Sequence, residues 1–161
     1  MENYIKSASQ QFEKLLREQI ERAERMANTQ SAKDFKKLDK ITVGLCGGDG
    51  IGPIIMNEAR RLLNALLSEE LAAGKIEFRE IDGLTIEKGQ PVPDDVLAQI
   101  KSCDVILKGP TTTPKGGKME SANVTLRREL DLYANVRPVS VPEEGIDWMF
   151  YRENTEGEYT L

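Results

Sequence analysis

Histidine is absent from all 161 residues. Its absence removes the Ser-His-Asp and Cys-His nucleophilic arrangements, histidine-based zinc-protease chemistry and any imidazole general base. Acid–base work then falls to Tyr, Lys, Asp or Glu. Cysteine is scarce: Cys46 and Cys103 stand far apart and outside C-x-x-C spacing, which suggests neither a disulfide framework nor a zinc site. Both fall in apolar, strand-like runs, where a buried free thiol is expected. No apolar run approaches the roughly 20 residues of a membrane span, and the opening MENYIKSASQQFEK lacks the basic and apolar regions of a signal peptide. A cytoplasmic protein with no membrane partner is expected. Basic charge is also short, with 22 Lys and Arg against 27 Asp and Glu for a net charge of −5. A nucleic-acid partner is disfavoured, because binding phosphate backbones needs a basic face. Any anionic ligand must be held by a local cluster.

Residues 1 to about 40 are charged and free of Gly and Pro, with Ile5, Phe12, Leu15, Leu16, Ile20, Ala23 and Met26 recurring near helical spacing. An amphipathic helix from about Ser9 to Ala27 is predicted, supported by the i,i+4 pairs Glu13–Arg17 and Glu21–Arg25. It either packs on its own domain or docks another subunit. A polar linker follows.

From Ile41 the chain reads ITVGLC, then GGDGIGP, then a helix-like IIMNEARRLLNALLSEELAAG. Gly48, Gly50 and Gly52 miss the dinucleotide pattern G-x-G-x-x-G, because Pro53 occupies the third glycine position. Pro53 suits the first turn of a helix. The loop is read as a tight strand-to-helix turn, with a direct phosphate contact as the competing reading. KIEFREI (75–81) is a strand, DDVLAQIKSC (94–103) a helix with Asp94 near its start, and DVILKG (104–109) another strand. Alternating strands and helices predict an α/β fold with an open, mostly parallel sheet and flanking helices.

Ligands of such sheets bind beyond the carboxyl ends of the strands. Lys108, Thr111, Thr112 and Thr113 leave one of these ends directly, and Lys115 and Lys118 follow in a segment that is not a Walker loop. SANVTLRRELDLYANVRP reads as a helix of three turns running into a strand, with Ser121 at the N-cap position. Asn123 and Arg127 share one face, and Leu126, Leu130 and Tyr133 form a core-facing stripe. Arg137 and Arg152 fall in strands, where an arginine flanked by apolar residues needs a partner or a ligand. Three arginines converging on one pocket would make bidentate contacts to carboxylates. Tyr159, seven residues after Arg152, is a candidate general acid, its phenol tuned by nearby cations.

The strings GDGIGP, KGPTTTP, S-x-N-x-x-L-R, DLYANVRP and YRENTEGEY, in that order over residues 41 to 161, resemble the isocitrate and isopropylmalate dehydrogenases, the decarboxylating β-hydroxyacid oxidoreductases. The resemblance implies that Ser121, Asn123, Arg127, Arg137 and Arg152 bind the substrate and that Tyr159 protonates C3 of the enolate left by CO₂. It makes Lys108 with Thr111, Thr112 and Thr113 the lip where substrate and the nicotinamide end of the cofactor meet. The S-A-N-V wording is of the isocitrate type, with homoisocitrate and 3-isopropylmalate as alternatives. The implied reaction is oxidative decarboxylation of isocitrate, a small tricarboxylate, to 2-oxoglutarate, with NAD or NADP and Mg²⁺ or Mn²⁺. Serine at position 121 is a regulatory phosphorylation site in some members.

The family continues well beyond residue 161 and there supplies the metal-binding aspartates, a lysine and most of the adenine site, partly from a second subunit. The expectation is therefore an amino-terminal part of a homodimeric enzyme, inactive alone, with no metal ligand of its own. Its expected parts are a helical extension and linker (1–40), part of a large α/β domain (41–133) and the start of a small domain (134–161). Unpaired strand edges and an uncovered apolar face are expected with it. A non-catalytic or split subunit and a stand-alone nucleotide-binding module are the competing classes.

Overall fold

The computed structural model describes residues 2–28, 33–85, 91–112 and 120–155. Two compact units divide the chain at Lys37 and Leu38. In the first unit, helix α1 (Glu2–Asn28) runs a turn or more beyond the expected Ser9 start, since no Gly or Pro interrupts it. The i,i+4 pairs Glu13–Arg17 at 2.7 Å and Lys14–Glu18 at 3.6 Å line its polar side. None of its residues is buried. A 3₁₀ turn at Phe35–Lys37 closes the unit.

The second unit is an α/β structure, as the alternating pattern predicts. Strands β1 (Ile41–Cys46), β2 (Ile76–Ile81) and β3 (Val105–Lys108) form a parallel sheet in the order β2-β1-β3. In register, Cys46 lies beside Ile81 on one side and Lys108 on the other. Side chains of this face close on helices α4 (Asp94–Lys101) and α5 (Ala122–Glu129): Cys46, Ile81, Leu84, Val92, Val96, Ile100 and Leu126 make one buried cluster. Gly44 carries no side chain because Ile106, Ile81 and Cys103 already fill that space, to within 3.0 Å of where a Cβ would sit.

Several expectations need correcting. The helix after the glycine loop is two helices, α2 (Gly52–Leu66) and α3 (Ser68–Ala72), separated at Leu67, whose φ of −111° and ψ of 22° leave the helical region. Helix α5 has about two turns rather than three, because Asp131 takes a left-handed φ of 51° just past its end. That turn carries Tyr133 out of the predicted stripe: Leu126 is buried and Leu130 packs beside it, but Tyr133 is 62% exposed. Cys103 lies in the turn before β3, not in a strand, and its thiol donates to the Gln99 carbonyl at 3.4 Å. Both cysteines are free.

Strands β4 (Ala134–Val141) and β5 (Ile146–Glu153) form an antiparallel hairpin around Gly145, which has a φ of 69°. Trp148 and Phe150 meet edge to face on one side of it, with ring centroids 6.0 Å apart. Met149 and Tyr151 project from the other side, and all four are exposed. Ile54, Ile55, Leu62 and Leu66 leave a second exposed apolar stripe on α2.

Candidate functional site

The strand order reverses its winding between β1 and β3, so the loops leaving those two strands flank the crevice where ligands of open α/β sheets bind. The loops are joined backbone to backbone. Gly109 N–H donates to the Cys46 carbonyl at 2.7 Å and Asp49 N–H to the Pro110 carbonyl at 3.2 Å. The Asp49 carboxylate accepts the Thr112 N–H at 2.5 Å, and the Asp49 carbonyl accepts the Gly52 N–H at 2.9 Å. Three glycines permit this approach. A Cβ on Gly48, whose φ is 74°, would sit 2.1 Å from the Pro110 oxygen. One on Gly52 or Gly109 would sit 2.2 or 2.3 Å from the Gly47 oxygen. The glycine loop is thus a tight strand-to-helix turn, with the Asp49 and Gly52 N–H groups committed to protein partners. Asp49 was not singled out as a site residue. The signal for it was an aspartate set between glycines, a residue type whose carboxylate captures backbone N–H groups in turns.

On the far side of this joint stands Lys108, half-buried at the end of β3. Its ammonium donates to the Gly109 carbonyl at 2.7 Å. Burial holds the Lys108 pKa below its ordinary value, Cys46 and Asp49 work against that, and the Arg127 guanidinium adds to it. Two cations therefore act on each other at one sheet end. No carboxylate among the described residues forms an ion pair with either. Thr111 contributes a buried hydroxyl with no partner among the described residues, Thr112 is exposed, and Thr113 lies outside them, as do Lys115 and Lys118.

Arg127 is placed by α5, whose start is fixed three ways. The Ser121 hydroxyl accepts the Asn123 N–H at 3.3 Å, as an N-cap does. Glu120 takes a bidentate pair from Arg128 at 2.8 and 2.9 Å and a hydrogen bond from the Thr125 hydroxyl at 2.5 Å. Burial pushes the Glu120 carboxyl upward, but these bonds outweigh it and hold its pKa below the ordinary value. Leu126 then anchors the helix in the core. Ser121, Asn123 and Arg127 follow along its remaining, half-buried surface.

Arg137 and Arg152 belong to the hairpin. Arg152 lies directly across from Asn135, and the Asn135 side-chain oxygen accepts from Arg137 Nε at 3.0 Å, so all three share one face. Both arginines are exposed. The expected residues thus fall into two groups, Lys108 with α5 and Arg137 with Arg152, while Tyr159 lies outside the described residues. Among the described residues no three Cys, Asp or Glu side chains cluster to hold a metal.

The family model for isocitrate/isopropylmalate dehydrogenases matches residues 42–161. An isocitrate dehydrogenase [NADP] from Caldococcus noboribetus is 42% identical over 133 residues, covering 75% of this chain and 31% of that protein. Subunit 2 of the mitochondrial isocitrate dehydrogenase [NAD] of Schizosaccharomyces pombe is 39% identical over 127 residues, covering 74% and 32%. The crystal structure of a beta-decarboxylating dehydrogenase from Thermococcus kodakarensis superposes with a TM-score of 0.59 at 36% identity, over 73% of this chain and 35% of that one. The chain spans about a third of the length of these relatives.

Proposed function

The chain belongs to the isocitrate/isopropylmalate dehydrogenase family, and we propose that it carries the carboxylate-gripping part of an enzyme that oxidatively decarboxylates isocitrate to 2-oxoglutarate. The observation that supports this reading best is the pair Lys108 and Arg127: two mutually acting cations at the carboxyl end of a parallel sheet, neither ion-paired to a described residue. Two half-buried cations side by side, with no ion-paired carboxylate among the described residues, suit an anionic ligand. A tricarboxylate brings the three charges that Arg127, Arg137 and Arg152 would take up.

In this reading Arg127, Arg137 and Arg152 clamp carboxylates bidentately, which holds the C–CO₂ bond aligned with the carbonyl π system that receives its electron pair. Ser121 and Asn123 read the terminal carboxylate through hydroxyl and amide. Phosphorylation of Ser121 would set negative charge against that carboxylate and repel it. Lys108, with a lowered pKa, holds another carboxylate at the lip it shares with Thr111, Thr112 and Thr113. Tyr159 returns a proton to C3 after CO₂ departs. NAD or NADP, when bound, supplies the hydride acceptor for the C2 carbinol, and the exposed Thr112, its N–H held by Asp49, fits a polar nicotinamide end. For Mg²⁺ or Mn²⁺ the described residues offer no ligand cluster. Its ligands are proposed beyond them. A homodimer completes the assembly proposed.

Turnover by the full-length protein of isocitrate, homoisocitrate and 3-isopropylmalate, each with NAD and with NADP, tests the reading. Isocitrate is expected to give the highest kcat/KM. Arg127→Met is expected to raise the isocitrate KM roughly 100-fold, the cost of removing one charge-assisted bidentate contact of about 3 kcal/mol. Preferential use of 3-isopropylmalate, or an Arg127→Met enzyme with unchanged KM, would overturn it.

A further inference from the structure

Asn154 is the one polar side chain buried among the described residues, with 5% of its surface exposed. It sits one residue past β5, in a stretch that reads in sequence as a polar turn. Its backbone N–H donates to the Tyr133 carbonyl at 3.1 Å and its side-chain amide to the Leu132 carbonyl at 3.4 Å. Its side-chain oxygen has no hydrogen-bond partner among the described residues.

That arrangement is a poor device for stability. A long amide bond and an orphaned acceptor return less than the cost of burying the group, and an apolar side chain of the same shape would serve the core equally well. What the amide does achieve is connection. Leu132 N–H is bonded at 2.8 Å to the carbonyl of Arg127, on α5. Glu153, next to Asn154, pairs with Ala134 at the base of the hairpin, and the next rung pairs Arg152 with Asn135. A short hydrogen-bonded path therefore runs from Arg127 through Leu132 and Asn154 to the strand that carries Arg152.

We infer that Asn154 is a positioning residue that sets the two cation groups, Lys108–Arg127 and Arg137–Arg152, in register for one carboxylate ligand. The inference rests on the function proposed above. It assigns Asn154 no contact with substrate or cofactor: it acts through the arginines, because a displacement of about 1 Å at a clamp is enough to cost up to 100-fold.

The test uses full-length Asn154→Leu, Arg152→Met and the double variant. KM is measured for whichever of isocitrate, homoisocitrate and 3-isopropylmalate the wild type turns over, so a wrong substrate assignment is exposed by the wild type alone. Asn154→Leu is expected to raise that KM about tenfold while leaving the NAD or NADP KM within twofold. In the Arg152→Met background the same change is expected to add less than twofold, as for two residues acting as a unit. An unchanged substrate KM, an equal rise in both KM values, or full additivity with Arg152→Met would overturn the inference. Where leucine prevents folding, Asn154→Ala supplies the same three comparisons, because it removes the amide without adding volume.

Discussion

Gly48→Ala and Gly74→Ala place the same methyl on two glycines of nearly identical φ, 74° and 70°. Left-handed backbone costs an L-residue about 1–2 kcal/mol, and the stiffer unfolded chain gives back about 0.4–1 kcal/mol. Around Gly74 nothing lies within 4 Å of the new Cβ, so Gly74→Ala should destabilise by about 1 kcal/mol and no more. At Gly48 the methyl meets the Pro110 oxygen at 2.1 Å and its carbonyl carbon at 3.0 Å, both backbone atoms that cannot rotate away. The two loops must part by about 1 Å to restore ordinary contact. That breaks the bond from Asp49 N–H to Pro110, worth about 0.5–1.5 kcal/mol, and the charge-assisted bond from Thr112 to Asp49, worth about 1.5–3 kcal/mol. Gly48→Ala should therefore cost about 3–5 kcal/mol, a large share of a typical 5–15 kcal/mol. Urea unfolding followed by circular dichroism measures both, and an m-value near that of the wild type secures the comparison. If the two variants fall within about 1 kcal/mol of each other, the glycine loop is not packed on the Pro110 loop as described.

Two further outcomes follow from the titrating groups. Burial, first, and Cys103 and Glu80 with it, push the Cys46 thiol from 9.0 up to about 11, with Lys108 opposing. Cys46 should resist alkylation at pH 8 until urea is added. The unfolded thiol ionises near 9 and the folded one near 11, so this contribution to stability is full below pH 9 and is lost as pH rises from 9 to 11. Cys46→Ala should flatten that limb of the stability profile. At the acid end, Glu120 is depressed, so its contribution is present above the ordinary carboxyl range and is lost as pH falls through the folded value. Arg128→Met should move the acid unfolding midpoint upward and cost about 0.5–1 kcal/mol at pH 7, the pair being half open to solvent. An unmoved acid midpoint would show that the pair does not form.

The sheet was legible from local pattern, two short apolar runs and the alternating KIEFREI: Ile41–Cys46 stands where ITVGLC predicts, and Ile76–Ile81 and Val105–Lys108 differ from their segments by a residue at each affected end. The N-cap at Ser121 and the shared face of Asn123 and Arg127 were equally local. What escaped was set by particular dihedrals or by distant contacts. No propensity marks Leu67 as a break in a run of good helix formers, and a left-handed aspartate at 131 is a choice the turn makes. The Asp49–Thr112 bond joins residues 63 apart, and Asn154 is buried by a segment 22 residues earlier. Pairings of that kind come from topology, which residue spacing along the chain does not encode.

The joint between the glycine loop and the Pro110 loop also limits how the protein can move. Cys46, Asp49, Gly109, Pro110 and Thr112 exchange hydrogen bonds in both directions across it, so the stretch from Lys108 to Thr112 travels with the end of β1 as one body. It is wall, not flap. Amides of Gly109 and Thr112 should therefore exchange with solvent as slowly as those of the sheet itself.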